Sequence, residues 1–354
     1  GTEMVLTLED SDYFLSYGYL KNKTDYYFVG FQTADFFQAG YYSLGRLRHY
    51  GLQSYISHPF SRFQRIDFGL TWHNISYDIL DRVINTFTGQ EELLKRPGSI
   101  KFTTVLPTMS WVIDNSVFGI TGPIDGYRQN ASVTASPGWK NNFSFQTMKF
   151  DARKYWRVGR DYTFALRGFF GRSQGNKAQK FFLGGTPYLL TDFQSGETNG
   201  VKDPSIYRSV LTDTANSNII TDVYFTEYAF PMRGARFAER IGTNAALFNF
   251  EIRFPFINYL ALGFPLKLVL GNIRGHAFMD VGAAWDNYSE FSSNMWPDKY
   301  GPNNSGNFSP WIVTSGLGVK INLGYFLLRI ESVWDKNPSG YSKPQWYLSL
   351  GPDW

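Results

Sequence analysis

Four histidines, His49, His58, His73 and His276, are the side chains of this sequence best placed for proton transfer near neutral pH. None belongs to a nucleophile elbow, a zinc signature or a glycine-rich phosphate loop. His276 and Asp280 share one parity of HAFMDVGAAWD, residues 276–286, as an acid–base pair on one strand face would. A four-residue offset along a strand separates them by about 13 Å, beyond hydrogen-bond reach. The expectation is therefore a protein that is not an enzyme, with no catalytic residue, cofactor or metal. The chain has no cysteine, which removes disulfides and thiolate metal sites and is compatible with an oxidising envelope compartment.

A different arrangement of charge stands out in FNFEIRFPF, residues 248–256. Phe248, Phe250, Ile252, Phe254 and Phe256 fall at one parity, and Asn249, Glu251 and Arg253 at the other. An aromatic wall thus backs directly onto a Glu beside an Arg, which requires a strand with an apolar environment on one side and a polar one on the other. The pattern recurs. In FQRIDFGLTWH, Ile66, Phe68, Leu70 and Trp72 oppose Arg65, Asp67, Thr71 and His73. In VTSGLGVKINL, Val313, Leu317, Val319, Ile321 and Leu323 oppose Thr314, Gly316, Gly318, Lys320 and Asn322. YTFALRGFF and FLLRIESVW place Arg167, Arg329 and Glu331 on the polar side. These are period-2 strands.

Such alternation also marks soluble sandwiches, whose cores interdigitate small and medium aliphatics. Here the apolar faces carry Phe and Trp in rows, and aromatic residues make up 18% of the 354 residues against 18% charged, which fits a sandwich poorly. Many segments reach the ~10 residues that cross a bilayer at a tilt. No transmembrane helix competes for the role: even INYLALGFPLKLVLGNI, residues 257–273, is broken by Asn258, Pro265 and Lys267. The fold expected is all-β, a transmembrane antiparallel barrel spanning residues 1–354. Phe248 to Phe256 would face lipid, with Glu251 and Arg253 facing the lumen. A net charge of +4 without basic blocks makes nucleic acid an unlikely partner.

Strands are expected to begin near residues 3, 12, 24, 40, 49, 63, 101, 126, 142, 161, 245, 273, 312, 325 and 345. Bacterial single-chain barrels use even strand numbers. Because Gly1 opens directly into an alternating stretch, a first strand and any periplasmic N-terminal domain are expected before residue 1. Residues 174–246, from QGNKAQKFFLGG to AERIGTNAA, read as one long irregular loop rich in Asp, Thr, Asn, Ser and Gly.

FFLGG at 181–185, PMRGAR at 231–236, FEIRFPF at 250–256 and HAFMDVGAAWD together resemble the final third of the BamA, or bacterial surface antigen, superfamily of outer-membrane assembly and translocation barrels. MSWVIDNSVFGITGPIDGYR at 109–128 is similar to the family's Asp-x-x-Pro-x-x-Gly-x-Arg hairpin, and WYLSLGPDW to its glycine-containing, aromatic-terminated last strand. The resemblance covers roughly residues 40–354 and is sharpest after 230. It implies a 16-stranded barrel in the bacterial outer membrane, whose sixth extracellular loop, here 174–246, folds into the lumen. By that resemblance Arg233 and Gly234 form the loop-tip motif, and Glu251 and Asp280 are its inward acidic partners. A planar five-donor fork meeting two carboxylates would clamp a tip that lacks a hydrophobic seat in a polar lumen. Two departures stand out. Ala235 replaces the family's aromatic, and residues 186–230 separate the Gly-Gly pair from the motif.

In the last strand Trp346, Leu348 and Leu350 share the lipid parity, while Tyr347, Ser349 and Gly351 share the lumen parity. Gly351 and Pro352, before the terminal Trp354, belong at an edge or seam because they weaken strand pairing. In the resembling family the seam between first and last strands is a lateral gate. The function this implies is insertion or translocation of proteins at the outer membrane. The partners would be outer-membrane lipid, client proteins and periplasmic or lipoprotein subunits. Two other functions use the same strands: an anchor or scaffold for a periplasmic domain or larger complex, and a passive or gated pore.

Overall fold

The structure, a computed structural model, describes the chain apart from residues 1–9, 41–42, 85–90, 139–143, 187–188, 195–226, 230, 236–238, 264–267, 289–310, 325, 338–339, 342 and 352–354. No α-helix occurs among the described residues. The first strands are β1 (Tyr13–Tyr19), β2 (Asp25–Gly40), β3 (Ser43–Pro59), β4 (Gln64–Ile84), β5 (Glu91–Lys95) and β6 (Ile100–Asp114). The short β7 (Val117–Gly119) leads into β8 (Gly122–Pro137), β9 (Ser144–Val158) and β10 (Tyr162–Gly175). The long loop contains β11 (Phe181–Leu183), β12 (Leu189–Gln194), β13 (Glu227–Ala229) and β14 (Arg240–Gly242). Then come β15 (Asn244–Leu262), β16 (Leu268–Trp285), β17 (Ile312–Asn322), β18 (Leu327–Asn337), β19 (Gly340–Tyr341) and β20 (Gln345–Leu350).

The long strands pair antiparallel in chain order, β1 to β2, β3, β4, β6 and β8. The series continues through β9, β10, β15, β16, β17 and β18 to β20. β5 extends the β4 edge beyond the reach of β6. Among the described residues no pairing joins β1 to β20, so the closed, 16-stranded sheet expected from the sequence is not seen. The far edge of β20 is taken instead by β12, paired antiparallel from Leu189↔Ser349 to Gln194↔Gln345.

Two expectations need correction. Starts near 40 and 49 belong to the single strand β3, because Gly45 and Gly51 sit in unbroken ladder pairing with β2 and β4. Residues 174–246 are not irregular throughout. β11 pairs in parallel with β13 and antiparallel with β14, a small sheet that the turn-rich composition concealed. The start expected near residue 3 lies outside the described residues.

Alternation explains which face the strands around the loop bury, whereas β1 is exposed along its length and β4 is buried on both faces from Asn74 to Asp78. Along β15, Ala245, Leu247, Asn249, Glu251 and Arg253 are buried, and Phe248 and Phe256 between and beyond them are exposed. Phe68, Leu70, Trp72, Met109, Trp111, Phe150 and Leu317 continue the exposed apolar face on other strands. The inner face carries buried Lys320, Arg329, Glu331, His276 and Asp280. Burying so many charges is tolerable only where they are paired, and their pairing is what fixes the loop.

Candidate functional site

β15, β16, β17 and β18 are adjacent and in regular register, so their inward residues form one contiguous patch. Asn249 lies opposite Asp280, and Glu251 opposite Phe278. On β17 the facing positions are glycines. A Cβ at Gly316 would come 2.4 Å from the Phe278 ring, and one at Gly318 would come 2.6 Å from the His276 ring and 2.9 Å from Glu331. Their bare backbone lets Phe278 lie flat and lets His276 Nε2 reach Glu331 Oε1 at 2.9 Å across the strand between them.

The loop enters this patch through its own small sheet. β11 and β13 bring the two ends of the 186–230 stretch side by side, and Gly185 forms an isolated bridge with Met232, whose N–H donates to the Gly185 carbonyl at 3.0 Å. The Gly-Gly pair, distant in sequence from the Arg-Gly motif, is thereby adjacent to it in space. The tip also has an apolar seat, contrary to the expectation from the sequence. Phe181, Leu183, Ala229, Met232 and Ala235 pack with Phe169, Ala245, Leu247, Ala284 and Ile312 in one buried cluster. Small inward residues at 245 and 284 leave room for loop side chains, which a strand-by-strand reading of parity does not reveal.

At the tip, Gly234 has φ +83°, and a Cβ there would stand 2.6 Å from Val333. Only glycine meets both demands without strain. Arg233, 2% exposed, grips Asp280 side-on, with Nε to Oδ2 and Nη2 to Oδ1 both at 2.8 Å. Its Nη1 donates to Glu251 Oε2 at 2.9 Å and to Glu331 Oε1 at 3.3 Å. Its backbone N–H adds a bond to Asp280 at 3.1 Å, and the guanidinium lies 3.5 Å over the centre of the Phe278 ring. Ala235 supplies no aromatic; the ring beneath Arg233 comes from β16.

The acids are held in turn. Asn249 Nδ2 donates to Asp280 Oδ1 and to the Pro231 carbonyl, each at 2.8 Å, joining wall and loop directly. Glu251 Oε1 accepts from Arg253 Nε at 2.6 Å and from Lys320 Nζ. Three cations, Arg233, Arg253 and Lys320, therefore face three carboxylates, Glu251, Asp280 and Glu331, with all six buried. The sequence reading brought together Arg233, Gly234, Glu251 and Asp280 but not Glu331, Lys320, Asn249 or Phe278. Inward parity was the available signal for those four. His276 and Asp280 do not pair with each other: the first bonds Glu331 and the second Arg233.

At the last strand, Trp346 is exposed while Tyr347 and Ser349 are buried, in line with the two parities, and Leu348 and Leu350 are intermediate. The Gly351 N–H donates to the Leu327 carbonyl at 3.0 Å, so pairing with the β18 side persists to that residue. Pro352 and Trp354 lie outside the described residues.

Residues 11–354 match the Omp85 superfamily domain. The chain belongs to that superfamily. Among solved structures, this Omp85 chain is similar to BamA from Haemophilus ducreyi lacking POTRA domains 1–3, with a TM-score of 0.56 at 12% identity, over 95% of this chain and 61% of that one. It thus spans less than two thirds of the length of that relative. CdiB from Acinetobacter baumannii matches with a TM-score of 0.47 at 11% identity, over 96% of this chain and 49% of that one. No curated protein sequence matches. The fold is all-β and resembles the BamA barrel.

Proposed function

We propose that this Omp85 chain sits in the bacterial outer membrane and takes part in inserting or translocating proteins there, with Arg233, Glu251 and Asp280 holding a loop clamp in the lumen. The observation that carries the reading is the edge of β20. A strand distant in sequence, β12, is hydrogen-bonded along it from residue 189 to 194. An edge that accepts one foreign strand offers the main-chain template on which another could be added. Outer-membrane lipid would contact the exposed aromatic face, and client strands, with periplasmic or lipoprotein subunits, would be the protein partners.

The test uses the register pair Asp192↔Tyr347. Antiparallel partners lie about 4.5–5.5 Å apart at Cα, within disulfide range. The chain has no native cysteine to interfere. Asp192→Cys with Tyr347→Cys in the intact protein is expected to cross-link under oxidation. Oxidised protein in lipid vesicles should then fail to accelerate folding of an added outer-membrane barrel, and reduction should restore it. Equal acceleration in both states would refute strand addition at β20. No acceleration in either state would favour an anchor, and large steady conductance from the intact chain in planar bilayers would favour a pore.

A further inference from the structure

The connection between β6 and β8 does not simply turn back. Asn115 N–H donates to the Tyr127 carbonyl at 3.0 Å and Tyr127 N–H returns to Asn115 Oδ1 at 2.7 Å, closing the base of a hairpin whose arm is β7. Gly126, with φ +94°, makes the bend: a Cβ there would stand 2.4 Å from the Asn115 carbonyl oxygen. Beyond the base, Phe118 pairs with Pro123 and Gly119 with Gly122. Thr121 and Pro123 are buried, while Val117, Phe118 and Ile120 are exposed.

Two side chains from distant strands hold this hairpin. Arg253 Nη1 donates to the Pro123 carbonyl at 2.7 Å, and Asn322 Nδ2 donates to the Ile120 carbonyl at 2.5 Å. In pairing order β15 and β17 are the third and fifth strands beyond β8. Along the sheet that is about 14 and 24 Å. One short hairpin reaches both because the wall curves and the hairpin cuts across the inside of the curve. It lies at the end of the sheet where β9 turns into β10 and β17 into β18, opposite the end from which the 174–246 loop enters.

Arg253 is shared between the two. Through Nε it holds Glu251 Oε1, whose other oxygen takes Arg233; through Nη1 it holds Pro123. Only 4% of Arg253 is exposed, and its guanidinium lies 6.0 Å from the centre of the Tyr155 ring, so it has little freedom to satisfy one partner while abandoning the other. Pro123 has no N–H, and its carbonyl is its one main-chain polar group, so losing Arg253 leaves a buried acceptor to find another donor.

We propose that Arg253 is a positioning residue that couples the 115–123 hairpin at one mouth of the lumen to the Arg233 loop tip entering from the other. Displacing the hairpin, for instance by a protein docking on Val117, Phe118 and Ile120, withdraws the Pro123 carbonyl from the guanidinium. That loosens the geometry of Glu251 and with it the seat of Arg233. The consequence for client handling rests on the function proposed above; the coupling itself does not.

The experiment is hydrogen exchange measured by mass spectrometry on the intact protein in lipid nanodiscs, following residues 115–123 and 231–235. Asn322→Ala removes the hairpin contact and the bond Asn322 Oδ1 accepts from Gly324 N–H in the β17–β18 turn, and among the described residues Asn322 has no hydrogen bond to the loop. It is expected to raise exchange in the hairpin by about tenfold, the loss of one side-chain hydrogen bond to a carbonyl, and to raise it measurably in 231–235 as well. Arg253→Met, which keeps length and removes every donor, should raise both windows further. Heat-modifiable migration on gels reports whether each variant is folded. If Arg253→Met does not fold, Asn322→Ala alone decides. Faster hairpin exchange with unchanged exchange in 231–235 would overturn the coupling, whether or not the protein proves active on clients.

Discussion

Replacing Arg233 by Ala tests the loop network most directly, and its magnitude can be worked from the partners left behind. Glu251 keeps Arg253 and Lys320, and Glu331 keeps His276. Asp280 loses the most, for its side-on pair disappears and Asn249 with the backbone N–H of residue 233 are the donors that remain. Breaking a buried ion pair by removing one partner costs about 3–5 kcal/mol, because the other charge is left uncompensated. At about 1.4 kcal/mol per tenfold, the low end moves the docked-to-released ratio of the loop about a hundredfold.

The assay is hydrogen exchange across 231–235, with heat-modifiable migration as the control that the sheet remains folded. Exchange should rise by about two orders of magnitude while migration is unchanged, since the pairing of the long wall strands with one another, from β1 through β18 to β20, does not use the loop. Adding Asp280→Asn to Arg233→Ala removes the orphaned charge at nearly constant shape and should recover much of the protection. Arg233→Lys should recover less, because an ammonium cannot take both Asp280 oxygens and Glu251 in one planar fork. Exchange within threefold of the parent in Arg233→Ala, or no recovery with Asp280→Asn, would show that the apolar cluster around Met232 holds the tip and the ion network only accompanies it.

Two further outcomes follow from the same geometry. Gly234→Ala places a methyl 2.6 Å from Val333 at a φ of +83°, so it should release the loop tip at a cost of about 1–3 kcal/mol, read as faster 231–235 exchange with the charges intact. Leu317→Arg puts a charge on the exposed apolar face of β17 and should reduce stability in vesicles by about 2–4 kcal/mol if that face meets the bilayer midplane. A urea titration of tryptophan fluorescence in vesicles measures it, and an unchanged midpoint would argue against lipid contact there.

What was legible in the sequence was set by period. Two-residue alternation assigns a face to each residue of β15, β17, β18 and β20, and Phe248, Leu317 and Trp346 lie on the faces it gives them. It gives no height along the sheet, because height depends on the stagger between neighbouring strands. Glu331 was therefore recognisably inward but not recognisably beside Arg233; its level is set by Gly318↔Glu331 and His276↔Gly318. The Arg253 bond to Pro123 left no trace in the sequence at all, since its acceptor is a backbone carbonyl that every residue carries. β12 was hidden for a related reason: its pairing with β20 is long-range, and local composition records only what a segment does with its neighbours.

On the proposed function, charge, rather than apolar packing alone, suits a loop that would leave its seat for a client to pass. A plug held only by an apolar cluster would, on release, expose hydrophobic surface inside the lumen and invite non-specific collapse of a passing chain. With three cations meeting three carboxylates, release lets water hydrate both sides, so the separated state is far less costly than a dry count of lost contacts implies. What the network supplies in the docked state is register. Arg233 fits Asp280 side-on, reaches Glu251 with its remaining arm and rests on the Phe278 ring, a set of constraints that one tip position satisfies. Gly185 beside Met232 then ties the chain just before β12 to that point, and β12 is paired with β20. On the proposed function, the docked tip and the occupied β20 edge are therefore two readouts of one closed state. Arg233→Ala should accordingly lower the oxidative cross-linking rate of the 192–347 cysteine pair, and an undiminished rate would show that the loop tip and the strand edge are independent.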